Sequence, residues 1–575
     1  MADSENKTDF EVIVIGAGIS GIIAAQRYLD AHPDCQLALL EKDYCVGGVF
    51  GQRRLYDEFW TQWTVGVAEF SDMPMERPPE SDCRNDCFKA KYTTKYLEKY
   101  VDRKQHDGRS LRDRIHFGVQ VQSIEKVGEK WLISCTGSDG NSVTYIANKL
   151  MVANGENSLQ NMPDLPGKES FGGVILHSED FGESKVISSE NVKHIAVIGA
   201  GKSSADMIYE AVRAGKTVSW IIRKTGTGAG FFAPLDMKSP YKNTVEAAQT
   251  RIMSSLQPSL LNPDTWWTWF LHSTTIGVAM VKQIFSAVDG TVRSRADYKG
   301  RKSTKGFEKL EYDTDIFWQN GTGGALHHDD FWDLVAENVT VYRDEVKMLR
   351  DKTLYLEDGS HFLCDAILCG TGWKLGLNFF NTDLLVKLDL PHRKEKDSYE
   401  TTAKWEKLTM EADEKLRKKY PLLANPPAHF HKNIEITPYR LYNGIAPLSD
   451  DSILFMNHIT AGNKLFVAEA QAIWAVAYFD KKITLPSIEE REKEIAAWVA
   501  WCRLRYLSNG ERGNFAAFDV VPYIDKLLND MGVSAHRKGW WRDLSNRSSL
   551  MIWVKHGRSI WTKIRNEPPK NSCQV

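Results

Sequence analysis

What this sequence has little of narrows what it does. It has no uninterrupted apolar run of the roughly 20 residues that a membrane-spanning helix needs. The apolar and aromatic stretch from Trp266 to Val281 is broken by His272, so it reads as a buried or interfacial helix. Neither sign of charge dominates: 73 Lys and Arg stand against 75 Asp and Glu, which argues against a bulk binder of nucleic acid or another polyanion. Cysteine is scattered and odd in number, at nine. Cys83 and Cys87 have no second pair to complete a zinc site, so no metal is expected, and the thiols read as reduced. The N-terminal "MADSENKTDFEVIVIG" lacks the basic and apolar regions of a signal or transit peptide. In the tail "PPKNSCQV" the cysteine is third from the end, where a prenylation box needs it fourth. The location expected from these shortages is cytoplasmic, or peripheral on an intracellular membrane. Nothing in the sequence fixes an oligomeric state.

What is present is the same unit twice, in a chain of 575 residues, long enough for two or three domains. "FEVIVIGAGISGIIAAQRYLDAHPDCQLALLEK" reads as strand, glycine turn, helix and strand. Gly16, Gly18 and Gly21 form G-x-G-x-x-G, and Glu41 ends the second strand. The first glycine permits a tight turn, the second lets backbone approach a pyrophosphate, and the third lets helix and strand pack closely. The helix N-terminus, at Ile19 and Ser20, favours the diphosphate charge, and Glu41 can accept from ribose hydroxyls. The second unit is "KHIAVIGAGKSSADMIYEAVRAGKTVSWIIRK". Gly199 and Gly201 hold the first two glycine positions and Ser204 the third. Its second strand ends in Arg223 and Lys224, not in an acid, which favours a 2′-phosphate and so NADPH over NADH. Lys202, Ser203, Ser204 and Arg223 join the two glycines as the expected nicotinamide-nucleotide site. Two different dinucleotide sites point to a flavoprotein that holds FAD at the first and NADPH at the second.

"FGGVILHSEDF", Phe171 to Phe181, lies between the units with the spacing F-x-G-x-x-x-H-x-x-x-F. It is too polar for a plain core strand and too short for a capped helix. It resembles the fingerprint of the class B flavin-dependent monooxygenases, in the linker where that fingerprint belongs. Phe181 stands where the flavin-containing branch has Tyr or Phe and the Baeyer–Villiger branch usually has Trp. "LMVANGENSLQNMPDLPG", "EKDYCVGGVF", "LYDEFWTQWTVGVAEFSDMPM", "DAILCGTGW", "LYNGIAP" and "VAEAQAIWAVAYFDKKITLPS" resemble further segments of the flavin-containing monooxygenases. The resemblance covers about Phe10 to Ser487, apart from roughly Thr244 to Asp315 and Lys387 to Pro438. It implies that Gly48, Val49, Phe50, Thr61, Gln62 and Val121 join the FAD site. One departure is Gln62, which replaces the asparagine of the family's Thr-Asn pair. Glutamine keeps the amide and reaches one methylene further. By resemblance Gln62 is the candidate catalytic contact to the flavin–nicotinamide pair. His177 reads as structural, because nothing near it in sequence offers a proton-transfer partner.

The resemblance implies an α/β fold with two Rossmann-like domains. The FAD domain is split into 1–170 and 381–575, the latter with a C-terminal helical region. The NADPH domain, 171–380, sits between them and carries a helical insertion at about 245–315. "DTWWTWFLHSTTIGVAMVKQIFSAV" in that insertion is apolar nearly all round, so it is expected to be buried, at an oligomer contact or at a membrane, and foremost as a helix over the active site. Trp498, Trp501, Trp540, Trp541, Trp553 and Trp561 are expected in core packing. The implied activity is NADPH-dependent monooxygenation: a C4a-hydroperoxyflavin forms from O2 and passes one oxygen to nitrogen or sulfur of a small organic substrate. Relatives of this layout tailor fungal secondary metabolites. Baeyer–Villiger attack on a ketone is the alternative. A flavin disulfide reductase would need a cysteine partner for Cys45, and a nicotinamide-independent oxidase would not need the second turn and Arg223. A non-enzymatic flavin-binding protein would hold FAD without NADPH turnover.

Overall fold

Val12, Ile13 and Val14 are wholly excluded from solvent in the strand Lys7–Ile15, as a β-branched run between parallel neighbours should be. The structure, a computed structural model, describes residues 7–535 except 106, 227, 237–240, 304, 319–322, 429–433 and 461. Lys7–Ile15 lies inside a seven-stranded sheet. Its parallel neighbours are Leu37–Glu41 on one side and Ser142–Val152 on the other. Ile115–Phe117 continues the sheet beyond Leu37–Glu41, and Lys130–Thr136 with Gln120–Val127 continues it beyond Ser142–Val152. The upper half of Ser142–Val152 also pairs with Ile453–Phe455, so the chain returns late to this sheet.

Helix Ile19–Ala31 is buried from Ile19 through Leu29. It is covered on one side by the sheet and on the other by Lys464–Phe479, buried from Leu465 to Phe479. One core therefore joins Ile22 and Tyr28 to Ile473 and Trp474. The opposite face of the sheet packs Ile13 and Trp131 against Phe380 and Phe455.

A second sheet has five strands, in the order Val174–His177, Ala366–Cys369, His194–Ile198, Thr217–Ile222 and Val339–Arg343. All are parallel, and helix Lys202–Arg213 follows His194–Ile198. The molecule is thus α/β with two Rossmann-like sheets. The fingerprint is not simply a linker: its Val-Ile-Leu-His is the edge strand of this second sheet, paired from Val174↔Ala366 to His177↔Cys369. Three aliphatic residues supply enough strand character once a neighbour offers a ladder.

The described residues of 245–315 are largely helical, but the apolar stretch is neither one helix nor buried. It divides into Trp266–Ser273 and Thr275–Ala296. The Thr274 hydroxyl caps the second helix by accepting from Gly277 N–H at 3.1 Å. Gly277 has no room for a Cβ, which would lie 2.6 Å from Leu271 Cα, so the two helices meet closely there. Leu271, His272 and Val281 face inward, while Trp266 and Trp269 are 71% and 57% exposed. A run that is apolar on every face cannot bury all of them against one neighbour. Near the other end, Trp501 is fully buried and Trp498 donates to Gly513 O at 3.0 Å, as core packing requires. Trp540, Trp541, Trp553 and Trp561 lie outside the described residues.

Candidate functional site

The first glycine turn leaves its strand with Gly16 at φ +100°, and a Cβ there would lie 2.7 Å from Ala153 O. Only glycine fits both conditions. A Cβ on Gly21 would collide with Gly16 O, so the third glycine serves helix packing and does not face the cavity. Glu41 is 6% exposed. Its carboxylate accepts from Ala17 N–H at 2.7 Å and Asp43 N–H at 2.9 Å. Burial pushes its carboxyl up against these two donors. Two of its roughly four acceptor sites remain for ribose hydroxyls.

A cavity of about 560 Å³ opens beside this turn. It is lined by Gly16, Gly18, Ile19, Ser20, Glu41, Gly48, Val49, Phe50, Thr61, Gln62 and Val121, and across it by Lys202 and Ser203. Every residue expected at the first site except Gly21 is therefore brought together. Gly199 and Gly201 on the second turn, Ser204 in the helix that follows it and Arg223 at the end of strand Thr217–Ile222 lie outside this cavity. Ser204 is fully buried and its hydroxyl sits 3.5 Å from Gly370 O. It fills the third-glycine position because residue 370 is itself glycine, whose added Cβ would overlap Ser204 Oγ.

Arg223 is exposed, with its guanidinium beside Gly226, Nε 3.0 Å from where a Cβ would stand. No ion pair involves it among the described residues. Its neighbour Lys224 is engaged by Asp344 at 2.7 Å. Of the two cations at this strand end, Arg223 is the one left for a ligand.

The fingerprint is positioned by contacts on both sides. Gly173 has no space for a side chain: a Cβ would lie 2.5 Å from both Asp365 O and the Phe171 ring. His177 is 1% exposed. Its Nδ1 accepts from Glu179 N–H at 3.2 Å, which makes Nε2 the protonated nitrogen that donates to Gly372 O at 3.0 Å. Burial lowers its pKa, so it is a neutral tie between two loops. Glu179, 4% exposed, pairs with Arg54 and, at 3.0 Å, with Arg53. Phe181 meets Tyr56 edge-on at 5.2 Å, Tyr56 stacks on Phe59 at 4.9 Å, and Phe59 stacks on Phe50 at 5.5 Å. The motif's last aromatic thus ends a row of rings of which Tyr56, Phe59 and Phe50 line the cavity.

Gln62 is half-buried, and its amide is already used. Oε1 accepts from Ala325 N–H at 2.7 Å and Nε2 donates to Ala325 O at 3.3 Å. It acts as a strand partner that ties Trp60–Thr64 to Gly324–Leu326. The next turn is held by His327, whose Nε2 donates to Thr61 O at 2.9 Å. Burial keeps His327 well below its ordinary pKa. Lys202 pairs with Asp206, which also accepts from Tyr56 OH at 3.0 Å.

Several lining residues were not singled out from the sequence. Asn154, Asn457, Trp63 and Arg54 line the cavity, and Asn154 Oδ1, Asn457 Oδ1, Trp63 Nε1 and Arg54 Nε are buried without partners. Such atoms cost about 1–3 kcal/mol each when unpaired, and a large polar ligand suits them. The quoted A-N-G turn held the only available signal for Asn154. Asn457 is fixed by tertiary contacts, donating to Ser20 Oγ at 3.0 Å. Helix terminus, buried acid and unpaired amides together fit a dinucleotide.

Comparison with known proteins agrees. A family described as pyridine nucleotide-disulphide oxidoreductase matches residues 13–252. An FAD-dependent monooxygenase of Pyrenophora dematioidea is 30% identical, over 92% of this chain and 99% of its own. The chain belongs to the FAD-dependent monooxygenases. The FAD-dependent monooxygenase rstn6 of Aspergillus nomiae is also 30% identical, over 92% of this chain and 94% of its own. Among solved structures, cyclohexanone monooxygenase of Rhodococcus sp. Phi1 bound to NADP+ is similar in fold, with TM-score 0.58, 16% identity, and 91% and 97% of the two chains covered. S-allyl-L-cysteine S-oxygenase of Allium sativum has TM-score 0.51 and 16% identity, with 97% and 95% covered. In this monooxygenase Cys45 is buried and, like every described cysteine, free. No helix of the described residues is long and apolar enough to cross a membrane.

Proposed function

We propose that this monooxygenase binds FAD in the large cavity and NADPH at the second glycine turn, and passes one oxygen atom of O2 to nitrogen or sulfur of a small organic substrate, in secondary metabolism. The observation that carries the NADPH reading is Arg223, exposed and without an ion pair among the described residues, beside an engaged Lys224. When bound, the two cofactors supply hydride transfer and the activation of O2. The protein's part is placement. The helix N-termini at Ile19 and Lys202 would hold the two diphosphates, Glu41 a ribose, and Arg223 the 2′-phosphate. The rings of Phe50, Tyr56 and Phe59 line the cavity and would shield a flavin bound there from water. Gln62 and His327 fix the Gly324–Leu326 strand across the cavity, so Gln62 acts on geometry through Ala325.

Oxidation of a soft nitrogen or sulfur nucleophile needs no protein acid or base. The groups facing this part of the cavity are already committed: Tyr56 to Asp206, Asp206 to Lys202, Gln62 to Ala325. The expectation of one domain split around another also rests on the late return of the chain to the first core. The test is turnover with NADPH, ¹⁸O₂ and a panel of amines, thioethers and ketones. N-oxide or S-oxide carrying one labelled oxygen is expected. Labelled ester or lactone from the ketones alone would replace this reading with Baeyer–Villiger chemistry. Failure of NADPH to reduce the flavin would remove the assignment of the second site.

A further inference from the structure

The exposed hairpin of Trp266–Ser273 and Thr275–Ala296 shares no lining residue with the cofactor cavity. Trp266, Trp267 and Trp269 are 71%, 37% and 57% exposed, and Ile276 and Met280 extend the patch at 67% and 42%. The rings are ordered by one another: Trp266 and Trp267 stack on Phe270 at 5.5 Å and 6.0 Å. The inner face is fixed, since His272 donates to Ser255 O at 2.9 Å and Trp267 Nε1 to Ser255 Oγ at 3.1 Å. An open cleft of about 430 Å³ runs between Trp266, Trp269, Lys419 and Tyr420. A contiguous exposed apolar patch of this kind marks an interaction surface.

The rim gives its sign. Helix Tyr399–Lys419 ends against the hairpin, where Ser273 Oγ donates to Lys419 O at 2.9 Å. Lys415, Arg417 and Lys418 are exposed on its last turns. Lys415 and Lys418 have no acid partner among the described residues, and Lys419 pairs with Asp264 at 2.6 Å. The sequence beyond the described residues, 536–575, carries nine lysines and arginines against two acids, and four tryptophans.

We propose that this hairpin and its basic rim form a docking surface for an anionic phospholipid bilayer. Tryptophan rings lie at the level of the headgroups, with an apolar body and a polar N–H. Cations beside them are drawn to anionic lipid within a Debye length. The association is peripheral, with apolar side chains entering the boundary between headgroups and acyl chains. A second copy docked on the same patch would bring like charges together, so a lipid surface complements what the hairpin presents.

The test is co-sedimentation of the full-length holoenzyme with vesicles of phosphatidylcholine alone or mixed with phosphatidylserine. Binding to mixed vesicles is expected, reduced by salt and weaker on phosphatidylcholine alone. The variant W266S/W269S should lose about tenfold or more of this affinity with unchanged flavin content and circular dichroism. K415E/K418E should lose affinity on mixed vesicles only. The proposal is overturned if the holoenzyme stays in solution with mixed vesicles. It is equally overturned if W266S/W269S binds as well as the parent, which would place binding in residues 536–575 alone. Vesicle-free light scattering that shows a dimer dissociated by W266S/W269S, without vesicle binding by the parent, would assign the patch to a second copy.

Discussion

Arg223 and Lys224 leave the same strand end and do different work. Lys224 is neutralised by Asp344, and Arg223 has no ion pair among the described residues. A charge-assisted hydrogen bond to phosphate is worth about 1.5–3 kcal/mol. Arg223→Ala should therefore raise the KM for NADPH by roughly 10–100-fold and leave that for NADH nearly unchanged, as read from flavin reduction with each nucleotide. A loss equal for both would show that Arg223 does not read the 2′ position. Glu179 presents the opposite case, a buried acid with two arginines. Removing it leaves Arg54, 7% exposed, with an uncompensated charge. Glu179→Ala should cost about 3–5 kcal/mol in urea unfolding. A change under about 1 kcal/mol, the scale of an exposed ion pair, would mean that water already reaches Arg54.

At the scale of elements, the fingerprint is a strand with a crowded start and an aromatic end. Gly173 lies between Asp365 O and the Phe171 ring, each 2.5 Å from the missing Cβ. Gly173→Ala must push the strand Val174–His177 off Ala366–Cys369 or expel Phe171. It should cost about 1–3 kcal/mol and slow flavin reduction by NADPH, because Phe181 moves with the strand. The measurement is thermal unfolding together with anaerobic stopped-flow reduction; stability lost without slower reduction would separate the strand from the alignment of the two sites. The glycine turns obey the same steric logic. The first unit keeps glycine at position 21. The second carries serine at 204, and the space it needs comes from Gly370, 166 residues away. No local pattern could have foretold that exchange.

Across the whole molecule, Glu210 ties the helix of the second unit to chain that follows the first. Its carboxylate accepts from Glu58 N–H at 2.7 Å and so joins helix Lys202–Arg213 to the loop that leads into Trp60–Thr64. Burial, with Asp57, Glu58 and Asp206 nearby, pushes it up from 4.5 to about 7. Below pH 4.5 the group is protonated in both folded and unfolded chains and costs nothing. Between 4.5 and about 7 the unfolded chain releases the proton first, so stability falls as pH rises through that window. The wild type should therefore lose stability relative to Glu210→Gln between pH 5 and pH 7.5 in urea midpoints. A constant difference would show that Glu210 is ionised in the folded protein.

By itself the sequence determined both glycine turns, the acid that ends the first unit's second strand and the cations that end the second's. These are local: glycine spacing, a strand's β-branched run and the residue at its end are set within about thirty positions. Phe181 and His177 were likewise legible as motif residues, though not the edge strand they belong to, because Val-Ile-Leu-His becomes a strand only beside Ala366–Cys369. Tertiary structure alone decided the rest. It set the amide of Gln62 on the Ala325 backbone and buried Ser204 against Gly370. It aimed Asn154 and Asn457 at the cavity and turned three tryptophans outward from a stretch apolar on every side. In each case the partner lies far along the chain or in solvent, and a side chain's hydrogen bonds and burial depend on that partner, which periodicity and spacing do not encode.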